Sequence, residues 1–372
     1  MTTTVPERDT VEPKTKPMIV DADAHPFCPS EDVMLPYITG AWRERLKDRK
    51  FSIGGLGFGG GGAHPGDHLK RDQVPPGGGP PGSDPKFMRD VLLDKWGIDH
   101  ALLTPFPIQL NAWWDADEAA ELASAFNRYF REQWLAVDSR YKLNLVISPL
   151  DPELAAREIR TVASWDGISG VYLPLPNIFM GDRFYYPIYK AAEEHSLPIV
   201  IHGNGTDGLY QGAPTFGGGR PSSYSEFYLG FPHLIQPQVI SLIFSGALER
   251  FPGLKIAFLE AGWAYMPHLL WRMDGAWKGL RWERPWVKKR PSEYVRQHMR
   301  FSTQPAYEAP TVEMLDQVMQ MMYPEETMMF STDYPHWDGD DPEVVYRRFG
   351  RLPGNLRDRI FSGNALDTFS RL

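Results

Sequence analysis

The sequence predicts an α/β protein built as a (β/α)8 TIM barrel, on three observations. Eight short apolar runs recur along the chain, segments with helical apolar spacing separate them, and several runs end on Asp, Glu or His. Short apolar runs alternating with helices suit parallel strands covered on both faces. An open doubly wound sheet is the second architecture, but no strand–GxGxxG–helix fingerprint supports it. At 372 residues the chain is long enough for two ordinary domains or one large barrel. The regular alternation favours one barrel domain over 18–372.

The elements follow in order. Residues 1–17 are polar and proline-containing and read as a flexible N-terminal arm. "MIVDADAH" (18–25) is a buried strand ending in polar residues. The stretch 51–85 is dominated by Gly and Pro, cannot form a regular element, and reads as a long flap inserted after the first strand. "PKFMRDVLLDKWGI" is helical and "HALLTPF" is a strand; "DADEAAELASAFNRYFREQWLAV" is a helix with acids early, as its dipole prefers. "KLNLVISPL" is a strand, and the next helix opens on Asp151 with Pro152 just inside it. "GISGVYLPL" and "LPIVIHG" are strands flanking the helix "RFYYPIYKAAEEHS", before a second Gly-rich loop over 203–223. "HLIQPQVISLIFSGALERF" reads as one helix. Then come "LKIAFLE" (strand), "AYMPHLLWRMDGAW" (helix), "MRFST" (strand), "TVEMLDQVMQMM" (helix), "TMMFSTD" (strand) and closing helical segments.

Bulk properties narrow the function. The formal charge of −8 argues against nucleic acid or an anionic membrane as partner. The single cysteine, Cys28, excludes an intramolecular disulfide framework and a Cys-based zinc cluster. The start lacks the apolar stretch of a secretion signal, and no window approaches 18 uncharged apolar residues; a cytoplasmic location is expected. Aromatic residues sit beside Gly and Pro in loops, where they can wall a pocket as readily as fill a core.

In a barrel of this kind chemistry sits where the strands end at their C-terminal side. Strand one ends Asp23-Ala24-His25, strand five on His202, strand six on Glu260, and strand eight on Asp333 with His336 just beyond. Each has a bland alternative. His25 and His202 singly fit satisfied half-buried histidines, Glu260 fits a helix N-terminus near Trp263, and Asp333 fits a turn before Pro335. Together they place three carboxylates and three imidazoles at one rim. Desolvating them uncompensated costs too much, and a divalent cation resolves the repulsion. His336 is a ligand, a general acid/base or a loop residue.

The fragments "VDADAHP", "IVIHGNG", "SLIFSGALERFPGLKIAFLEAGWAYMPHLLWRMD", "FSTDYPHWD" and "RIFSGNALDTFSRL" resemble the amidohydrolase superfamily. Within it they are similar to the group that includes metal-dependent decarboxylases of carboxylated aromatic acids. The resemblance implies a (β/α)8 barrel with metal at its mouth, Asp23 and His25 as the first-strand ligand pair, His202 as the fifth-strand ligand and Asp333 as the eighth-strand aspartate. Glu260 stands where many members have a sixth-strand histidine. The fourth strand ends "VYLPLP" without the bridging lysine of the dinuclear hydrolases.

Mixed imidazole and carboxylate ligands suit manganese or iron as well as zinc. One ion is expected if Asp23, His25, His202 and Asp333 bind it; a pair bridged by a carboxylate is expected if Glu260 and His336 also ligate. The expected activity is hydrolysis or decarboxylation of a small organic acid, with the metal as Lewis acid and Asp333 or His336 carrying the proton. Phe27, Trp113, Trp114, Trp263 and Trp337 lie just beyond strand ends as candidate pocket walls, and Arg220 or Arg272 as a carboxylate partner. The alternative is a dinuclear iron or iron/manganese centre that activates O2, with a paralogous partner subunit. A non-catalytic supporting barrel is the third reading, and the complete ligand set argues against it. A homo-oligomer such as a dimer is expected, with a hetero-oligomer containing a related barrel subunit as the alternative.

Overall fold

The strands are short and largely buried, four to six residues each apart from a two-residue eighth, and helices lie between successive strands. A computed structural model of the chain describes residues 18–47, 69–105, 110, 115–202, 223–230, 232–305 and 309–372. The strands are β1 (Val20–Ala24), β2 (His100–Leu103), β3 (Tyr141–Val146), β4 (Ile168–Tyr172), β5 (Ile199–His202), β6 (Ile256–Leu259), β7 (Met299–Ser302) and β8 (Met328–Met329). They form one eight-stranded sheet in chain order, every pair parallel. Backbone bonds close the ring between β8 and β1. Ala22 N–H donates to Phe330 O at 2.9 Å, Asp333 N–H to Asp23 O at 3.0 Å, and His25 N–H to Tyr334 O at 2.7 Å. The fold is a TIM barrel.

The apolar residues separate by strand parity into two clusters. Val20, Ala22, Leu102, Val200, Ala257, Leu259 and Met329 meet inside the barrel with Ala365 and Phe369 from the C-terminal segment. Alternate residues such as Ile199, Ile201, Ile256, Phe258 and Phe301 pack with the surrounding helices. Gly170 on β4 is glycine for space: a Cβ there would meet Asn144 Oδ1 at 2.6 Å, Val200 at 3.0 Å and Phe369 at 3.2 Å. The C-terminal segment also ties down the short β8, since Asn364 Nδ2 donates to Met328 O at 2.7 Å and Phe330 N–H donates to Ile360 O at 2.8 Å.

Helix starts follow local chemistry. Asp151 accepts from Glu153 N–H at 2.9 Å and Leu154 N–H at 3.1 Å, with Pro152 opening the helix Pro152–Val162. Asp115 caps Ala116–Phe130 in the same way. The helix expected over 233–251 is broken instead: Pro232–Phe244 ends, Gly246 turns through φ +85°, and Ala247–Arg250 begins afresh. The sequence reading assigns no element to Pro291–His298 or to Gly40–Lys47, both helices in the structure. Both are only eight residues long, too short to display a clear apolar stripe.

The arm 1–17 and residues 51–68 of the expected flap lie outside the described residues, as does loop 203–222. The described end of the insertion, 69–85, is irregular apart from a 3-10 turn at Arg71–Gln73, and it rests on the barrel mouth. Among the described residues no helix is long and apolar enough to cross a membrane.

Candidate metal centre

The site begins with a fault in β1. Val20 and Ala22 belong to the interior cluster, so strict alternation would send Asp23 to the helix side. An extra residue shifts the register against β2 between Asp21 and Ala24 and reverses this. Asp21 is left facing strand eight's extension, where its buried carboxylate accepts from Asp23 N–H at 3.2 Å, Thr332 N–H at 2.9 Å and Thr332 Oγ1 at 2.6 Å. Asp23 and His25 thereby reach the same point inside the mouth.

There they meet residues from β5 and from beyond β8. His25 Nε2 lies 3.2 Å from Asp23 Oδ1 and 2.8 Å from Asp333 Oδ1. His202 Nε2 lies 3.3 Å from Asp23 Oδ2, 3.5 Å from Glu260 Oε2 and 3.9 Å from Asp333 Oδ1. Asp23, His25, His202 and Asp333 are all buried, and each offers one atom within 4.8 Å of the others. His25 Nδ1 donates to Thr104 O at 2.9 Å, which leaves Nε2 as the ring atom facing the cluster. His336 stands beside the group, its Nδ1 2.7 Å from Asp333 Oδ1. Glu260 joins a second, carboxylate-only group with Asp333 and Asp338, again within 4.8 Å.

Two of these acids hold unusual backbones. Glu260 has φ +46° and Asp333 φ +58°, a region that costs a non-glycine residue about 1–3 kcal/mol. Both conformations are tied down: Glu260 N–H donates to Ser302 Oγ at 2.9 Å, and Asp333 N–H to Asp23 O at 3.0 Å. The described end of the insertion braces the same loops. Lys70 N–H donates to Pro335 O at 2.9 Å, Lys70 Nζ to Gly339 O at 3.0 Å, and Phe27 N–H to Gly82 O at 2.8 Å.

Burial and mutual charge shift the groups of the cluster in opposite directions. Burial and the neighbouring Asp333 push the Glu260 carboxyl well above its usual range, and the same two causes raise Asp338. Burial would also raise Asp333, but His336, His202 and His25 outweigh it and hold that carboxyl well below. For His202 burial works downward, yet Asp23, Asp333 and Glu260 lift it well above an ordinary histidine. Burial lowers His25 despite Asp23. Asp333 overcomes burial to raise His336.

The donor set fits a divalent cation on an observation independent of charge alone. Neither oxygen of Asp23, nor Oδ2 of Asp333, accepts a hydrogen bond among the described residues, although both side chains are wholly buried. Buried carboxylate oxygens left without donors are expensive, and a cation satisfies them.

Other expected residues fall variously. Phe27 is buried, edge-on to His336 at 6.5 Å between ring centroids. Trp263 is fully buried and donates from Nε1 to Thr303 O at 3.3 Å. Trp337 is exposed and lies 6.0 Å from Tyr228. Trp113, Trp114 and Arg220 lie outside the described residues, and Arg272 is exposed on an outer helix. Sequence reasoning passed over Asp21, Thr104 and Asp338. Only Asp338 carried a signal, five residues after Asp333 in "TDYPHWD"; a rule that stops at strand ends skips it.

The family model described as Amidohydrolase matches residues 20–371. The chain belongs to the amidohydrolase family. This amidohydrolase is 24% identical over 300 residues to the gamma-resorcylate decarboxylase of Polaromonas sp. strain JS666, covering 75% of this chain and 85% of that protein. Its fold is similar to 5-carboxyvanillate decarboxylase from Sphingomonas paucimobilis, with TM-score 0.69 and 21% identity over 95% of this chain and 99% of that one. It is also similar to the 5-carboxyvanillate decarboxylase from Novosphingobium aromaticivorans DSM 12444 complexed with manganese and 4-hydroxy-3-methoxy-5-nitrobenzoic acid. That match has TM-score 0.68 and 20% identity over 95% of this chain and 96% of that one. The structural likenesses bear on the fold of this amidohydrolase.

Proposed function

We propose that this amidohydrolase is a metal-dependent decarboxylase of a small carboxylated aromatic acid, with a divalent cation held by Asp23, His25, His202 and Asp333. The observation that carries the reading is the buried four-residue cluster with its undonated carboxylate oxygens. The decarboxylase relatives supply the reaction class, and they lend nothing to the O2-activating alternative. Manganese, the ion bound in one relative, suits two imidazoles combined with two carboxylates.

When bound, the cation supplies Lewis acidity and a fixed positive charge for a substrate carboxylate. The chain's own residues do the rest. Thr104 O fixes the His25 ring so that Nε2 faces the cluster. His336 Nδ1 lies 2.7 Å from Asp333 Oδ1, and this pair is the proton carrier. In the reaction a proton adds at the ring carbon bearing the carboxylate, the bond to the carboxylate breaks, its electron pair returns to the ring, and CO2 leaves. Phe27 packs edge-on to His336, and the strap at Lys70–Gly82 is bonded to Phe27 and Pro335 on either side of the pair.

The test uses manganese-loaded protein with gamma-resorcylate and 5-carboxyvanillate, following CO2 and the decarboxylated arene together. Equimolar CO2 and arene from either acid, abolished by chelation, is expected. Turnover of ester or amide substrates with no CO2 from either acid would overturn the reading. His202→Ala and Asp333→Asn should each lower bound metal at least about tenfold while far-UV circular dichroism stays native. Full metal content in both would show the ligand set wrong.

A further inference from the structure

We propose that Asn144, on β3, is a positioning residue for the first-strand metal ligand: it holds Thr104, and Thr104 holds the His25 imidazole. The proposal rests on the four-residue metal reading above and extends it inward from the mouth. The His25 ring is aimed by one bond, from its Nδ1 to Thr104 O at 2.9 Å. Thr104 stands one residue past Leu103, the last position of β2 paired with β3. Its N–H donates to Ala24 O at 2.8 Å, which ties it to the same end of β1. Its side chain is tied from the opposite direction, since Asn144 Nδ2 donates to Thr104 Oγ1 at 3.1 Å.

Asn144 is itself held by a second irregularity in the barrel. Leu143 pairs with Ile168 but Asn144 pairs with Gly170, so Ser169 is an extra residue in β4. Its Oγ donates to Asn144 Oδ1 at 3.1 Å. Gly170 leaves the amide its room, because a Cβ there would lie 2.6 Å from Asn144 Oδ1. A chain of bonds thus crosses four strands, from Ser169 on β4 through Asn144 and Thr104 to His25 beyond β1. All four residues are wholly buried, and every polar side-chain atom of Thr104, Asn144 and Ser169 is used within the chain.

The surroundings make this chain unexpected on stability grounds. Val200 and Phe369, both of the apolar interior cluster, lie beside Gly170 at the same level. Apolar side chains of similar shape can replace a buried hydrogen-bonded group at little cost in stability. What the polar groups add is direction. Hydrogen bonds fix the rotation of an amide and a hydroxyl, and here they end on one proposed ligand. Partners one step removed from a ligating imidazole set its ring orientation and the metal affinity.

Metal-free protein titrated with Mn2+ tests this by metal analysis and electron paramagnetic resonance, independently of activity. Asn144→Leu and Thr104→Val keep side-chain size and remove the link, and each should weaken Mn2+ binding about tenfold or more. Each should also alter the zero-field splitting of the bound ion, because His25 meets it at a different angle. Thr104→Ser keeps the hydroxyl and should restore most of the affinity. The double variant Asn144→Leu with Thr104→Val should bind about as the weaker single variant does, because both break one bond. Asp151→Ala, which removes a cap on the barrel's outside, should bind like wild type. Wild-type affinity and an unchanged spectrum in Asn144→Leu and Thr104→Val, with only the melting temperature lowered, overturn the proposal and leave the four-residue site standing. Equal weakening in Thr104→Val and Thr104→Ser also overturns it. No ion in wild type, or unaltered binding in His202→Ala, overturns the four-residue reading and this proposal with it. If Asn144→Leu fails to fold, the two Thr104 variants decide alone.

Discussion

At the scale of single residues, Asp21 is a residue whose importance only neighbours reveal. Its wholly buried carboxylate takes three donors, one from Asp23 and two from Thr332. It therefore fastens the irregular end of β1 to the segment carrying Asp333. Burial outweighs those bonds and lifts its pKa to about 7. Replacing it with alanine strands the Thr332 amide and hydroxyl inside the protein, and buried donors left unpaired cost about 1–3 kcal/mol each. We expect Asp21→Ala to lower unfolding stability by roughly 3 kcal/mol on that basis, with Asp21→Asn recovering part of the loss. Urea denaturation measures both; a change within about 0.5 kcal/mol, the range of ordinary surface substitutions, would show the network to be incidental.

At the scale of elements, two substitutions separate stability from site geometry. Asp151 caps a helix on the barrel's outside, so Asp151→Ala should cost about 1 kcal/mol and leave metal affinity untouched. Gly82 belongs to the strap over the mouth, with φ +78°, and a Cβ there would sit 2.6 Å from His25 O and 3.1 Å from Pro335. Neither neighbour is a flexible side-chain tip, so the chain must move. Gly82→Ala should lower stability and weaken metal binding together, read by thermal melts and by Mn2+ titration. Unchanged metal affinity in Gly82→Ala would separate the strap from the site.

At the scale of the whole molecule, the barrel is closed by bonds that also assemble the centre. Asp333 N–H to Asp23 O and His25 N–H to Tyr334 O join the last strand to the first, and the same residues carry the proposed ligands. Ring closure and metal binding are thus coupled. A ligand that binds only the folded state stabilises it by RT ln(1 + [L]/Kd), about 2.7 kcal/mol at a hundredfold excess over Kd. Manganese should raise the melting temperature of wild type and leave that of His202→Ala unmoved. An equal rise in both would place the stabilising ion elsewhere.

The eight strands were legible in the sequence because strands buried on two faces are rich in apolar residues, and runs such as Ile199–His202 and Ile256–Leu259 recur between helical segments. The strand-end acids and imidazoles were legible for the complementary reason: polar groups that terminate apolar runs need a purpose. What sequence periodicity could not supply was direction. Alternation alone turns Asp23 outward, and only the bulge in β1, held by Asp21 and Thr332, turns it in. Equally, nothing local joins Asp338 to Glu260, which lie on different strand-end loops. The sequence by itself determined which residues can be strands and which can bind metal, because apolarity and ligand chemistry belong to single residues. Tertiary structure decided which of them meet, because that depends on ring closure, register and the one extra residue that breaks it.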